Sequence, residues 1–514
     1  MTLNQSNAAE DSCLKNQGVP ESESPAPYPR PQPGNGSAGF EKSDSLAYSC
    51  DNNHNSNISN TDKNTIVDLD DLNPGQTAVD SSNSEYGANS PGGLERCLST
   101  ATILDFPEGG VQGWLVVFGS FCAMISVFGL INSSAVFESY FSTHQLVDNT
   151  ASEIGWIFSL YLFMVFFVGI QVGPVFDRHG ARALIAAGSL IIVVSLLLLS
   201  WCKTYYQIIL TYSVLGGLGG ALLNGPAYGA IAHFFNARRG LATGIATTSG
   251  GIGGIVFPIL LQYLLPNLGF AWSCRVLALI MLVLAIPANV FIKTRLPPAR
   301  GPDGAPRVGS VRPDFSVFKD VRFAFSSLGI FFMEWGLFVP LTFIVSYAAA
   351  HGQDATESYV LLSYLNAGSV AGRVLPGFLA DRFGRFNVII VTIALCVVTV
   401  LALWLTAGDS EGVLTAYAVL FGFASGSNLG LVPVCLGQLC DSRQYGRFLT
   451  AAMMVASFGT LSSVPIGGAL LEVGSAETGW RALIIFSGIA YGIALACYTT
   501  ARVVAVGWDP CTVF

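Results

Sequence analysis

From residue 113 onward the chain alternates long apolar runs with short polar breaks. A helix needs about 20 residues to cross the hydrocarbon core of a bilayer. Runs of that kind begin near Gly113, Glu153, Arg182, Gln207, Gly240 and Gly269, and again near Phe323, Ser358, Asn387, Gly412, Arg447 and Trp480. The run near Gly240 is rich in glycine, and the run near Phe323 contains Glu334 and Pro340. Twelve spans in two sets of six predict an all-α membrane protein built from two six-helix bundles. A Pro-, Gly- and Arg-rich stretch separates the sets. The predicted organisation is a tail at 1–105, a bundle at 106–293, a linker loop at 294–322, a second bundle at 323–502 and a short tail at 503–514.

The first 105 residues differ in kind. They are rich in Ser, Asn, Gly, Pro and Asp and hold no apolar run, so they cannot bury enough surface to offset their ordering entropy and are expected to be disordered. They carry 15 acidic and 5 basic residues, which leaves about +2 for the membrane part of a chain whose net charge is −8. The acidic balance therefore belongs to the tail and says nothing about a ligand. Composition agrees with the span count: 52% of the residues are hydrophobic, the mean hydropathy is +0.54, and only 11% are charged, against roughly a quarter in soluble domains. The N-terminus lacks a basic-then-apolar leader, so the first span is expected to act as the targeting signal.

Lys and Arg fix the expected orientation. One set of loops holds Arg178, Arg182, Arg238, Arg239, Arg382, Arg385, Arg443 and Arg447, and the central linker adds seven more, while the opposite loops hold only Lys203, Arg275 and Arg481. Positive residues stay on the cytosolic side, which places both termini in the cytosol. The sequons at Asn4, Asn35 and Asn57 would then be out of reach of glycosylation, and the one at Asn132 falls inside a span.

The two sets of spans repeat one another. Gly173-Pro-Val-Phe-Asp177-Arg178-His-Gly180-Ala-Arg182 follows the second span, and Gly377-Phe-Leu-Ala-Asp381-Arg382-Phe-Gly384-Arg385 follows the eighth. Pro258 and Pro465 keep nearly the same offset, as do Trp272…Arg275 and Trp480-Arg481. Parallel repeats of this kind relate the halves of one large class of transporters. The repeated Asp-Arg-x-Gly-x-Arg loop resembles the signature loop of the major facilitator superfamily. That resemblance implies a gating role for Asp177, Arg178, Arg182, Asp381, Arg382 and Arg385, pinning neighbouring helices at the cytosolic end. Gly180 and Gly384 permit the tight turn. The alternative is a plain positive-inside anchor.

A finer resemblance starts at the first span. Pro107-Glu108-Gly109-Gly110-Val-Gln-Gly113-Trp114 is similar to the opening signature of the monocarboxylate transporter family, with one extra residue before Gly113. Phe234-Phe-Asn-Ala-Arg238-Arg239-Gly-Leu-Ala-Thr-Gly and Gly372-Arg373-Val-Leu-Pro376-Gly377 resemble later segments of that family, and the polar tail and Asn132…Phe137 look like its fungal branch. In the animal lactate carriers of the family a Lys near the end of the first helix and an Asp four residues before the eighth-helix Arg take part in proton-coupled transport. Here those positions are Asn132 and Ser369, and only Arg373 remains. The resemblance therefore implies a carrier without naming lactate or pyruvate; relatives of this pattern carry vitamins or accompany biosynthetic pathways.

Charge inside a membrane helix costs at least about 2.5–3.5 kcal/mol on insertion scales, so Arg373 is expected to face a cavity or a partner. A planar guanidinium suits an anionic or carbonyl-bearing substrate; the competing reading is an internal ion pair between helices. Glu334 is the natural partner of Arg373 or a proton carrier, against a bland role near a helix end. Asn132, Asn224, Asn366 and Asn428 are further substrate-contact candidates, against interhelical hydrogen bonding. The glycines of Ser249-Gly-Gly-Ile-Gly-Gly254 are read as close-packing positions.

These residues point to secondary-active transport of a small organic metabolite by alternating access between the two bundles, with protons as a candidate coupling ion. Alternatives are an efflux carrier for a secondary metabolite or drug, and a nutrient sensor on a transporter scaffold. Five dispersed histidines, eleven scattered cysteines without a CxxC pair, and the lack of a P-loop or nucleophile elbow argue against an enzyme, a metal site, a cofactor or an ATP-driven pump. The expected partners are a small-molecule substrate and the lipid bilayer, with no nucleic acid. The expected location is the plasma membrane, with a vacuolar or other organelle membrane as the alternative.

Overall fold

No water is available inside a bilayer to satisfy main-chain N–H and C=O groups, so a spanning segment must close its hydrogen bonds internally. The computed structural model describes residues 106–296, 311–353, 355–509 and 512–514, and among them the chain satisfies this rule with helices alone. The tail predicted to be disordered and most of the linker lie outside the described residues.

The spans are α1 (Gly110–Thr143, broken at Ser133), α2 (Ala151–His179), α3 (Arg182–Leu199) and α4 (Tyr205–Phe234). One helix of 53 residues, Arg239–Phe291, then folds back at Gly269, where φ is 74°, and so gives α5 (239–268) and α6 (270–291). The later spans are α7 (Val321–Ala350), α8 (Ala355–Phe383), α9 (Arg385–Trp404), α10 (Glu411–Gln438), α11 (Tyr445–Leu471) and α12 (Ala476–Val506). Each starts within four residues of the apolar run that predicts it. Ten of the described helices are long and apolar enough to cross a membrane. The folded helix supplies two crossings, and α8, whose 29 residues carry Asn366, Arg373 and Asp381, supplies the twelfth.

Helices associate in lipid through close packing rather than through a hydrophobic drive, so small residues decide where backbones meet. A Cβ on Gly253 of α5 would lie 2.9 Å from Gly129 Cα of α1, and a Cβ on Gly254 would lie 2.7 Å from Asn366 Oδ1 of α8. The glycine run of α5 therefore threads this helix between α1 of its own half and α8 of the other. Gly240 and Gly377 bring α5 and α8 into main-chain contact at one end. The second seam between halves pairs α2 with α11. Around the outside, Leu190, Val194, Ile286, Val290, Val391 and Val398 are exposed, as lipid-facing positions should be.

Just before α7, the described end of the linker forms a short turn at Phe315–Lys319. Its flank leans on both halves: Gln171 Nε2 of α2 donates to Val311 O at 3.1 Å, and Asp314 pairs with Arg447 of α11 at 3.7 Å. The hydroxyl and N–H of Ser316 hold the Asp314 carboxyl below the usual carboxylate range.

Candidate functional site

At the arginine-rich end, each repeated aspartate reaches across to the opposite half. Asp177 of α2 accepts the N–H groups of Gly446 and Arg447, both at 2.9 Å, in the first turn of α11. Asp381 of α8 accepts those of Gly240 and Leu241, both at 2.8 Å, in the first turn of α5. A carboxylate at a helix N-terminus satisfies orphan donors and meets the positive end of the helix dipole. The two seams are thus closed by the same device used twice.

The arginines of the loops divide in role. Arg385 donates to Asn236 O across the halves. Arg382 lies over the Phe378 ring at 4.5 Å, on its own helix. Arg178 and Arg182 are exposed and bridge nothing across the gate among the described residues. The strongest guanidinium contacts come from Arg239, which is 1% exposed: it donates to Gly437 O and Ser442 Oγ, both at 2.8 Å, and faces the Tyr445 ring. Glu108 completes this end. Its carboxylate accepts the N–H groups of Asn236, Ala237 and Arg238 at 2.7–3.0 Å and ties the start of α1 to the α4–α5 turn.

Above this closed layer lies a small cavity of about 40 Å³, room for a few water molecules. Arg373, Glu334 and Asn224 line it together with Tyr228, Thr247 and Phe166. Helices α1, α2, α4, α5, α7, α8, α10 and α11 all contribute. Arg373 is buried, donates Nη1 to Thr247 O, and leaves Nε without a partner among the described residues. Glu334 is 3% exposed and forms no ion pair with Arg373, although the two share a wall.

A larger cavity of about 510 Å³ occupies the other end and reaches exposed Ser139 and Ser142. Asn132 and Asn366 line it, with Thr342, Ser346 and Thr460 adding hydroxyls. Asn132 also donates to Gly250 O of α5 at 2.8 Å, and Asn366 donates to Leu362 O at 3.0 Å. Asn428 lines neither cavity: it accepts from Thr392 Oγ1 at 2.8 Å and donates to Cys396 Sγ at 3.3 Å, between α9 and α10. Among the described residues no three His, Cys, Asp or Glu side chains converge as metal ligands would.

Four residues near these sites escaped the sequence reading. Glu138 is the one carboxylate lining the larger cavity among the described residues; it lies beyond Asn132, near the expected end of α1. Tyr228 gave no signal among other apolar aromatics. Glu108 stands in the sequence only as part of a signature, and its partners at 236–238 lie about 130 positions away, where no local pattern points to them. Arg239 reads in the sequence only as one more loop charge.

The family model described as Major Facilitator Superfamily matches residues 116–461 and 377–508. The riboflavin transporter MCH5 of Saccharomyces cerevisiae is 35% identical over 80% of this chain and 82% of its own length. The Fujikurins efflux protein of Gibberella fujikuroi is 34% identical over 74% and 81%. Among solved structures, the human organic anion transporter MFSD10 aligns with a TM-score of 0.58 at 13% identity, over 75% of this chain and all of that one. The E. coli fucose:proton symporter FucP aligns at 0.57 and 15%, over 75% and 98%. At such identity these structures speak for the fold.

Proposed function

We propose that this chain, which belongs to the major facilitator superfamily and is an integral, multi-pass membrane transporter, carries a small organic metabolite by alternating access, with Arg373 as the substrate contact. The observation that carries this reading is the buried guanidinium of Arg373, which faces the inner cavity with Nε unpartnered and no acid paired to it. An anionic or carbonyl-bearing group would complete its hydrogen bonds in a medium where charge-assisted bonds are strong. Glu334, on the same wall and free of an ion pair, is the candidate proton carrier.

Arginine bias puts the Asp177–Asp381 end in the cytosol, and with it both termini; the plasma membrane is the proposed location. In that orientation the larger cavity faces outward and the closed layer faces the cytosol. Asn132, Asn366 and Glu138 would meet substrate first, and Arg373 after it has descended. Rocking the halves about α5–α8 and α2–α11 would break the four aspartate bonds and open the cytosolic side. Export of a pathway product is the second reading, favoured by the identity to the Fujikurins efflux protein.

The test has two stages. Comparing metabolites inside and outside cells with and without the protein yields the cargo and its direction. Flux of that cargo into sealed proteoliposomes is then measured for wild type and Arg373→Ala at equal incorporation. Loss of flux is expected, and Arg373→Lys should recover only part of it. Undiminished flux in Arg373→Ala would remove Arg373 from the site.

A further inference from the structure

A third cavity, of about 540 Å³, opens on the surface at the Asp177 end, outside both the gate and the transport path. Arg182 at the start of α3, Lys293 and Arg295 just after α6, and His179 at the end of α2 line it, and among the described residues no carboxylate does. Arg182 and Lys293 make no hydrogen bond or ion pair among the described residues. The wall also contains Ala181, the N-cap of the 18-residue helix α3, which offers no side-chain cap to the first N–H groups of that helix. Arg182, Lys293 and an uncapped helix N-terminus thus meet in one concavity, the arrangement that binds phosphate oxygens.

The other half of the molecule fills the corresponding place. Phe386 lies 204 positions after Arg182, the same offset that separates Asp381 from Asp177. There the Phe386 N–H donates to a main-chain oxygen of Phe514 at 2.9 Å, Asn387 Nδ2 donates to Thr512 O at 3.0 Å, and the Phe386 and Phe514 rings stack at 5.1 Å. An acceptor oxygen thus caps the start of α9, supplied by the chain itself, whereas the start of α3 faces the basic cavity.

The position of the cavity indicates the source of the oxygen. Ile286 and Val290 of α6 are 62% and 53% exposed and lie within two turns of Lys293, and Phe118 of α1 is 50% exposed nearby. These lipid-facing residues lead to the cations, which therefore sit at headgroup depth. We propose that Arg182, Lys293 and the N-terminus of α3 form a binding site for the phosphate of an anionic lipid headgroup.

The test uses the full chain in mixed micelles or nanodiscs, with native mass spectrometry counting bound lipid. Phosphatidic acid should bind in preference to phosphatidylcholine, and Arg182→Gln/Lys293→Gln should weaken that binding about 30-fold, as expected for two surface cations. Lys319→Gln, which removes an exposed cation elsewhere at the same end, should leave it unchanged. Footprinting needs no variant: phosphatidic acid should protect Lys293, but not Lys319, from an amine-reactive label. Competition by millimolar inorganic phosphate or glycerol phosphate would support the same anion site while assigning its ligand to solution rather than lipid. Equal phosphatidic acid binding by wild type and the double variant, an equal loss in Lys319→Gln, or unprotected Lys293 would overturn the proposal.

Discussion

Asp177 and Asp381 stand 204 positions apart, and each caps the second and third residues of a helix in the opposite half. Both carboxylate oxygens are used in each case, one per N–H. The closed layer is therefore held by four main-chain donors, and the aspartates reach them because Gly240 and Gly446 carry no Cβ, which would lie 2.8 Å from Asp381 Oδ1 and 2.6 Å from Asp177 Oδ1. A gate built this way can release as a unit, because tilting either helix start removes both of its bonds together.

Replacing either aspartate by alanine should open that layer. Loss of an N-cap costs about 0.5–2 kcal/mol, so the closed-to-open ratio should fall about fivefold for Asp177→Ala and by a similar factor for Asp381→Ala. Spin-label distances across the α2–α11 and α5–α8 seams, or cysteine accessibility at this end, would measure the shift. Unchanged distributions in both variants would mean that the caps do not hold the gate.

Glu334→Gln should separate transport from its driving force. The substitution keeps shape and polarity while removing the proton the carboxyl can carry. Exchange of substrate at equal concentrations should persist, while accumulation driven by an imposed proton gradient should vanish. If uphill accumulation survives in Glu334→Gln, proton coupling must reside elsewhere or be absent.

The Asp314–Arg447 pair makes a contrasting pH prediction. Ser316 depresses the Asp314 carboxyl in the folded protein, so its contribution is present above the unfolded value and is lost only as pH falls through the still lower native one. Between pH 5 and 8 the clamp should not change, and at 41% exposure of the Asp314 side chain it is worth at most about 1 kcal/mol. Asp314→Asn should leave the shape of the transport pH profile intact. A profile displaced by that variant would place a titrating step at the linker.

The fold was legible in the sequence because lipid imposes one rule on every span. Apolar length gave the helix starts, and the Asp177 and Asp381 loops gave the repeat. The site was legible in part, since charge in a span stands out: Arg373 and Glu334 do share one cavity. Their lack of an ion pair was not legible, because the side-chain geometry depends on where α5 carries Thr247 relative to α8. The gating loops divided for a similar reason. Aspartates can cap only what lies opposite them, while Arg178 and Arg182 point outward, a distinction that no spacing encodes.

Gly253 offers a direct test of the packing that sets this geometry. A Cβ there would sit 2.9 Å from Gly129 Cα, so Gly253→Val must push α1 and α5 apart. Overpacking of this kind costs about 1–3 kcal/mol. A lowered unfolding temperature in detergent is expected, together with reduced flux. Wild-type stability in that variant would show that α1 and α5 do not need such close approach.

Asn366 and Asn428, both candidates as substrate contacts, now make opposite predictions. Asn366 lines the larger cavity, so Asn366→Ala should raise the KM for transport with little change in stability. Asn428 is 1% exposed and spends its amide on Thr392 and Cys396. Removing it takes away the bonds that tie α9 to α10 here and leaves the Thr392 hydroxyl with its bond to Ile389 O on its own helix. Interhelical bonds of this type are worth about 0.6 kcal/mol on average and up to about 1.7. Asn428→Ala should therefore lower the unfolding temperature by a few degrees and leave KM unaltered. Flux titrations and thermal unfolding on the same purified samples separate the two effects. A raised KM in Asn428→Ala without loss of stability would return that residue to the substrate path, by way of a cavity that opens only when the halves have rocked.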